Sequence, residues 1–140
     1  MKPRDFESPP ITVNVDFYFC EVSMPAISFL FPNHPGARFD MDYYLGTHMP
    51  LAIHLMSRQI GFRTVVVERG VRGMSADADV TYLALCHFTF DSVKDFNIAY
   101  AAHAERLNAD MRNYTDIMPV VQVNEIVIEK YAARNCLVSA

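Results

Sequence analysis

The chain has 140 residues, 51% of them hydrophobic and 20% charged, with a formal net charge of -4. That size suits one domain able to bury a core without disulfides or a structural metal. The scattered charge excludes a basic, aromatic-interleaved nucleic-acid surface, and Cys20, Cys86 and Cys136 match no metal spacing and suit a reduced, cytoplasmic setting.

The first ten residues, with Pro3, Pro9 and Pro10, read as a loose arm. "ITVNVDFYF" (11–19) then alternates Ile11, Val13, Val15, Phe17 and Phe19 with Thr12, Asn14, Asp16 and Tyr18. This period of two predicts an extra half-buried strand on a sheet edge. Asn14 and Asp16 make it unlike the apolar part of a signal peptide. Nowhere does the chain reach the roughly 18 unbroken apolar residues of a membrane helix. Residues 1–23 are therefore expected to be an arm, 24–130 the domain, and 131–140 a tail.

"PAISFLF" (25–31) predicts the first strand of the domain, closed by the turn cluster "PNHPG". Asp40 is placed to cap a helix, with Asp42 in its first turn and Phe39 and Tyr44 at hydrophobic-staple spacing. "FRTVVVER" (62–69) predicts a strand, with Val65 and Val67 on one face and Phe62 and Val66 on the other. "GVRGMSADAD" (70–79) reads as a loop and "TYLALCHFTF" (81–90) as a strand. Asp91 or Ser92 caps a second helix, where Val93, Phe96, Tyr100, His103, Leu107 and Met111 form one apolar stripe. "PVVQVNEIVIE" (119–129) predicts the last strand.

The order β-α-β-β-α-β, with right-handed crossovers, predicts an α+β ferredoxin-like sandwich with both helices on one sheet face. The strands are apolar on both parities, so the second face also needs cover. A second copy packed face to face would supply it and enclose a barrel-like cavity, which predicts a homodimer.

The first helix is interrupted. In "YLGTHMP" (44–50) Pro50 lacks the N–H that would bond the Gly46 carbonyl, and Gly46 is the residue best able to absorb the adjustment. The expected result is a kink, or two short helices, with His48 at the break and Tyr44 four residues before it on the same face. Such a break costs about 3 kcal/mol in an ordinary helix. It serves either to bend the helix around a twisted sheet or to aim an imidazole and a phenol into a cavity.

Four other histidines compete. His87 shares a strand face with Leu83, Leu85 and Thr89 and points inward only if that face lines the cavity. His103 lies in the apolar stripe of the second helix, where a buried, hydrogen-bonded histidine is the ordinary case. His34 sits in a turn, and His54 lies on a different helix face from His48. Asp42, Asp116 and Glu125 are candidates to orient a histidine, and no spacing selects among them. Asn113 suits a helix C-terminal cap. The chain has no HExxH, zinc-spaced cysteine pair, phosphate loop or GxSxG, so neither a metal nor a cofactor is expected.

"FPNHPGARFDMDYYLGTHMPL", "HFTFDSVKDF", "AAHAERL" and "NYTDIMPVVQVNE", in this order, resemble the EthD family, named for ethyl tert-butyl ether degradation. The resemblance spans residues 25–128 and implies a dimeric α+β barrel. It makes His48 the most recognisable polar position and carries over His87 and His103. It also implies small-molecule catabolism without a cofactor, as in monooxygenases, isomerases and cyclases that act on hydrophobic, often phenolic, compounds. The combined reading puts His48, Tyr44 and His87 in catalysis and His103 and Tyr43 in substrate binding. The reaction is proton transfer on, or cofactor-independent oxidation of, a hydrophobic carbonyl or phenolic substrate. The alternative is a non-catalytic carrier for such a molecule, using the same pocket.

Overall fold

Alternation in the strands sets which side chains share a face. In β1 (Met24–Pro32) one face carries Ile27, Phe29 and Phe31, and in β3 (Tyr82–Phe90) one face carries Ala84, Cys86, Phe88 and Phe90. The structure, a computed structural model, describes residues 23–130. It pairs β1 with β3 so that Ile27 opposes Phe88, Phe29 opposes Cys86 and Phe31 opposes Ala84. β2 (Phe62–Arg69) joins the outer side of β3, and β4 (Val120–Ile126) the outer side of β1. The order β2-β3-β1-β4, antiparallel throughout, is the expected ferredoxin-like arrangement. The anticipated arm and strand over 11–19, and the tail over 131–140, lie outside the described residues. Among the described residues no helix is long and apolar enough to cross a membrane.

Both helices begin where side chains replace missing backbone partners. Asp40 Oδ1 accepts from the Tyr43 N–H at 3.0 Å to start α1 (Met41–Tyr43), and Ser92 Oγ accepts from the Asp95 N–H at 3.0 Å to start α3 (Val93–Asp110). The Phe39 and Tyr44 rings meet 5.1 Å apart, closing the staple. Neither a simple kink nor two separate helices follows α1. The chain widens into a π-helical turn (Tyr44–His48) and continues as α2 (Met49–Met56). Here the Met49 N–H bonds the Tyr44 carbonyl, five residues back. That one-residue slip lets the helix pass Pro50 without breaking.

Helices and sheet share one core. Tyr44, Met49, Ala52 and Met56 from the first helical run, and Phe96, Ala99 and Leu107 from α3, are buried on the Ile27–Phe31 face. Phe96 meets Phe90 edge-on at 5.5 Å and stacks on Tyr100 at 5.7 Å, which pins α3 to β3. Burying each such large apolar side chain contributes about 1.5–3 kcal/mol. Phe62 corrects the simple alternation: a register shift between Phe62 and Thr64 pairs Phe62 with Phe90 and turns its ring into the helix-side core.

The other sheet face carries no helix. Val66, Leu85 and Val120 share it with Ser28, His87, Gln122 and Asn124, so it is mixed rather than uniformly apolar. Within the single chain a cavity lies on the opposite side of the sheet, between it and its own helices.

Candidate active site at the helix break

The extra residue of the π turn brings Tyr44, His48 and Met49 inward together, all three buried. His48 is 7% exposed. Its Nδ1 lies 2.8 Å from Asp110 Oδ2 at the end of α3. Asp110 Oδ1 accepts the Tyr43 O–H at 2.7 Å and the Asn113 side-chain N–H at 2.9 Å. Burial alone would raise the Asp110 carboxyl, but the hydrogen bonds from Tyr43, Asn113 and His48 outweigh it and hold the carboxyl below its ordinary value. Asp110 is thus an anion that can only accept. The facing Nδ1 therefore carries a proton, and in the neutral ring Nε2 is left with its lone pair.

Nε2 faces Tyr114, whose hydroxyl is 3.4 Å away and whose ring centroid is 4.5 Å from that of the imidazole. Tyr44 lies nearly parallel to His48 with centroids 6.0 Å apart, and it also packs on Tyr114 at 5.2 Å, so the three rings form one cluster. Burial pushes the Tyr44 and Tyr114 phenols well above their ordinary values, so both stay protonated. The Tyr44 hydroxyl is buried and has no hydrogen-bond partner among the described residues.

Tyr114 is held by a splice between two distant segments. The Asp40 N–H donates to the Tyr114 carbonyl at 2.7 Å, and Phe39 bridges Thr115. Thr115 Oγ1 donates to the Arg38 carbonyl at 2.8 Å, while the Arg38 N–H donates to Asp116 Oδ1 at 2.8 Å. Asp116, a candidate to orient a histidine, fixes this splice instead.

Tyr44, His48, Met49 and Tyr114 border a cavity of about 500 Å³. Phe29, Phe88 and Tyr100 give it aromatic walls, Met111 and Met118 add thioethers, and Asn108 brings a polar group. Cys86 also lines it, its thiol pushed up to about 12 by burial. Among the described residues no Lys, Arg, Asp or Glu side chain lines the cavity. The size and lining have the character of a site for an uncharged hydrophobic molecule, with one imidazole at its wall.

The five residues anticipated for the site therefore separate. His48 and Tyr44 line the cavity, and Tyr43 stands behind them, holding Asp110. His87 is directed to the helix-free sheet face, where Nδ1 lies 2.6 Å from Ser28 Oγ and Nε2 lies 3.7 Å from Glu68. Its strand parity is opposite to that of Cys86, and the cavity is on the Cys86 side. His103 does not line the cavity; its Nε2 accepts from the Gln59 amide at 3.1 Å. Asp110 and Tyr114 are the additions that sequence reasoning missed. One signal did point to Asp110. An acidic residue closing a helix opposes the helix dipole, so its place there needs a tertiary partner.

The fold and this site define a class: a ferredoxin-like α+β domain holding a carboxylate-backed histidine against an apolar cavity. Residues 37–117 match the EthD domain, and the chain belongs to the EthD family. It is similar to the crystal structure of an EthD-like protein from Ralstonia eutropha JMP134, with 34% identity over 77% of this chain and 96% of that one, and a TM-score of 0.70. An EthD family protein from Bacillus halodurans C-125 shares 18% identity over 74% and 98% of the two chains, with a TM-score of 0.55. A protein of Shewanella loihica PV-4, provisionally named a monooxygenase, shares 15% identity over 76% and 98%, with a TM-score of 0.51. The last two likenesses speak for the fold alone. No curated protein matches the chain.

Proposed function

We propose that this protein is a small-molecule enzyme in which His48 moves a proton to and from a hydrophobic carbonyl or phenolic substrate held in the cavity. The observation that carries the reading is the part-buried His48–Asp110 pair at 2.8 Å with the second imidazole nitrogen turned toward Tyr114 at the cavity wall. The carboxylate fixes the tautomer and stabilises the imidazolium formed when Nε2 accepts a proton. The apolar walls exclude water that would otherwise compete for that nitrogen. The substrate loses a proton to Nε2 and keeps the electron pair as an enolate or phenolate. That oxyanion is also the form of such a substrate that gives electrons to dioxygen, which is the route to cofactor-independent oxidation within the same reading.

The test uses an enolisable hydrophobic ketone, 2-tetralone, in deuterated water. The wild-type protein is expected to accelerate exchange of its acidic C–H protons, and His48→Ala to lose about two to four orders of magnitude of that acceleration while still binding the ketone. Equal exchange in both proteins, with binding retained, would favour a carrier. We also infer that a second copy covers the helix-free sheet face through Val66, Leu85 and Val120. Sedimentation should then give twice the chain mass, and Val66→Asp, at a residue 49% exposed in the single chain, should halve it.

A further inference from the structure

The contact between His48 Nε2 and the Tyr114 hydroxyl is unusual in its length. At 3.4 Å it lies beyond a good hydrogen bond, yet both groups line the cavity and both are buried. Among the described residues neither atom has another hydrogen-bond partner. Two polar groups that meet poorly at a largely apolar wall leave capacity that a third atom can use. An oxygen at ordinary hydrogen-bond distance from both completes a triangle over the 3.4 Å gap. Nε2 can take a proton from that oxygen, and the Tyr114 O–H can donate to it.

We propose that Tyr114 is a further catalytic residue, the donor that holds the substrate's oxyanion after His48 has taken its proton. The inference rests on the reading of His48 as a base and adds the group that recognises the product of the proton transfer. It also narrows the substrate to a neutral aromatic carrying one acidic hydroxyl, phenol or enol. Among the described residues no fixed cation lines the cavity to receive a carboxylate or phosphate, and the aromatic walls formed by Phe29, Phe88 and Tyr100 suit a planar ring. The proton balance is closed: the O–H bond of the substrate breaks, an N–H bond forms at Nε2, and the electron pair stays on the oxygen. That oxygen then accepts from both the newly formed imidazolium N–H and the Tyr114 O–H, the latter being in place before the charge appears. Tyr114 is suited to this role because the Asp40 N–H bonds its carbonyl, its neighbour Thr115 bonds Arg38, and its ring packs against Tyr44 at 5.2 Å and Phe39 at 5.5 Å.

The probe is p-nitrophenol, whose phenolate absorbs in the visible, with p-nitroanisole as the same shape lacking the acidic proton. At about one pH unit below the solution midpoint of the phenol, the wild-type protein should show the phenolate band on binding. Tyr114→Phe should bind the phenolate about tenfold to a hundredfold more weakly and leave p-nitroanisole binding unchanged. Wild-type affinity and ionisation in Tyr114→Phe would overturn the assignment. His48→Gln separates the two layers. If it keeps the band while Tyr114→Phe loses it, the base is not His48 but the Tyr114 anchor stands. Should Tyr114→Phe fail to fold, the wild-type preference for p-nitrophenol over p-nitroanisole decides, and equal affinity refutes the proposal.

Discussion

Replacing Asp110 by Asn tests whether the carboxylate sets the state of His48. The substitution keeps the side-chain volume and one carbonyl oxygen, so Tyr43 and Asn113 retain an acceptor. The atom 2.8 Å from His48 Nδ1 becomes an amide nitrogen. Two donors then face each other, and the relief is for the imidazole to move its proton to Nε2, which removes the lone pair at the cavity. Turning the amide round would set its nitrogen against that of Asn113, so Asp110→Ala serves as a second variant free of that ambiguity. A hydrogen bond to a charged group is worth about 1.5–3 kcal/mol, which converts to a loss of about 10- to 150-fold in proton-transfer rate. Exchange of 2-tetralone protons gives the rate, and nitrogen-15 shifts of His48 give the tautomer. Wild-type exchange in both variants, or a wild-type neutral ring protonated on Nε2, refutes the reasoning. Acid stability carries the same signature. A carboxyl held below its ordinary value contributes stability that is complete above the unfolded value near about 3.9 and is lost as pH falls through the lower folded value. Asp110→Asn should therefore be less stable than wild type at neutral pH and converge with it in acid.

Tyr44→Phe removes a buried hydroxyl that has no partner among the described residues, so it should raise stability by about 1 kcal/mol, read as a melting temperature higher by a few degrees. A fall of similar size would mean that the hydroxyl is satisfied in solution. The Cys86 thiol, pushed up to about 12 by burial, stays neutral in the folded chain while the unfolded chain ionises near about 8.5. Stability is then complete below that pH and falls as pH rises toward the folded value, and Cys86→Ala should flatten this alkaline limb in denaturation curves. Gly61 has φ +84°, and a Cβ there would come 2.5 Å from an Asp95 carboxylate oxygen. Gly61→Ala should lower the urea midpoint by the equivalent of about 1–2 kcal/mol, and an unchanged midpoint would show that the turn can relax.

Local physics made much of this protein legible in one dimension. The caps at Asp40 and Ser92, the alternation of β1 and β3 and the conflict between Gly46 and Pro50 depend on residues a few positions apart. Sequence therefore yields the ferredoxin-like order and marks His48 as standing at a break. It could not choose which sheet face the helices cover, because a period of two describes both faces equally. That choice put the cavity beside Cys86 and turned His87 away. Nor could it find the register shift that brings Phe62 inward, since two extended residues read alike whether or not they pair. Asp110 and Tyr114 lie 62 and 66 positions from His48, and only the packing of α3 and the splice at Arg38 bring them to its two nitrogens. The histidine was written in the chain; its proton's location was decided by partners that only folding supplies.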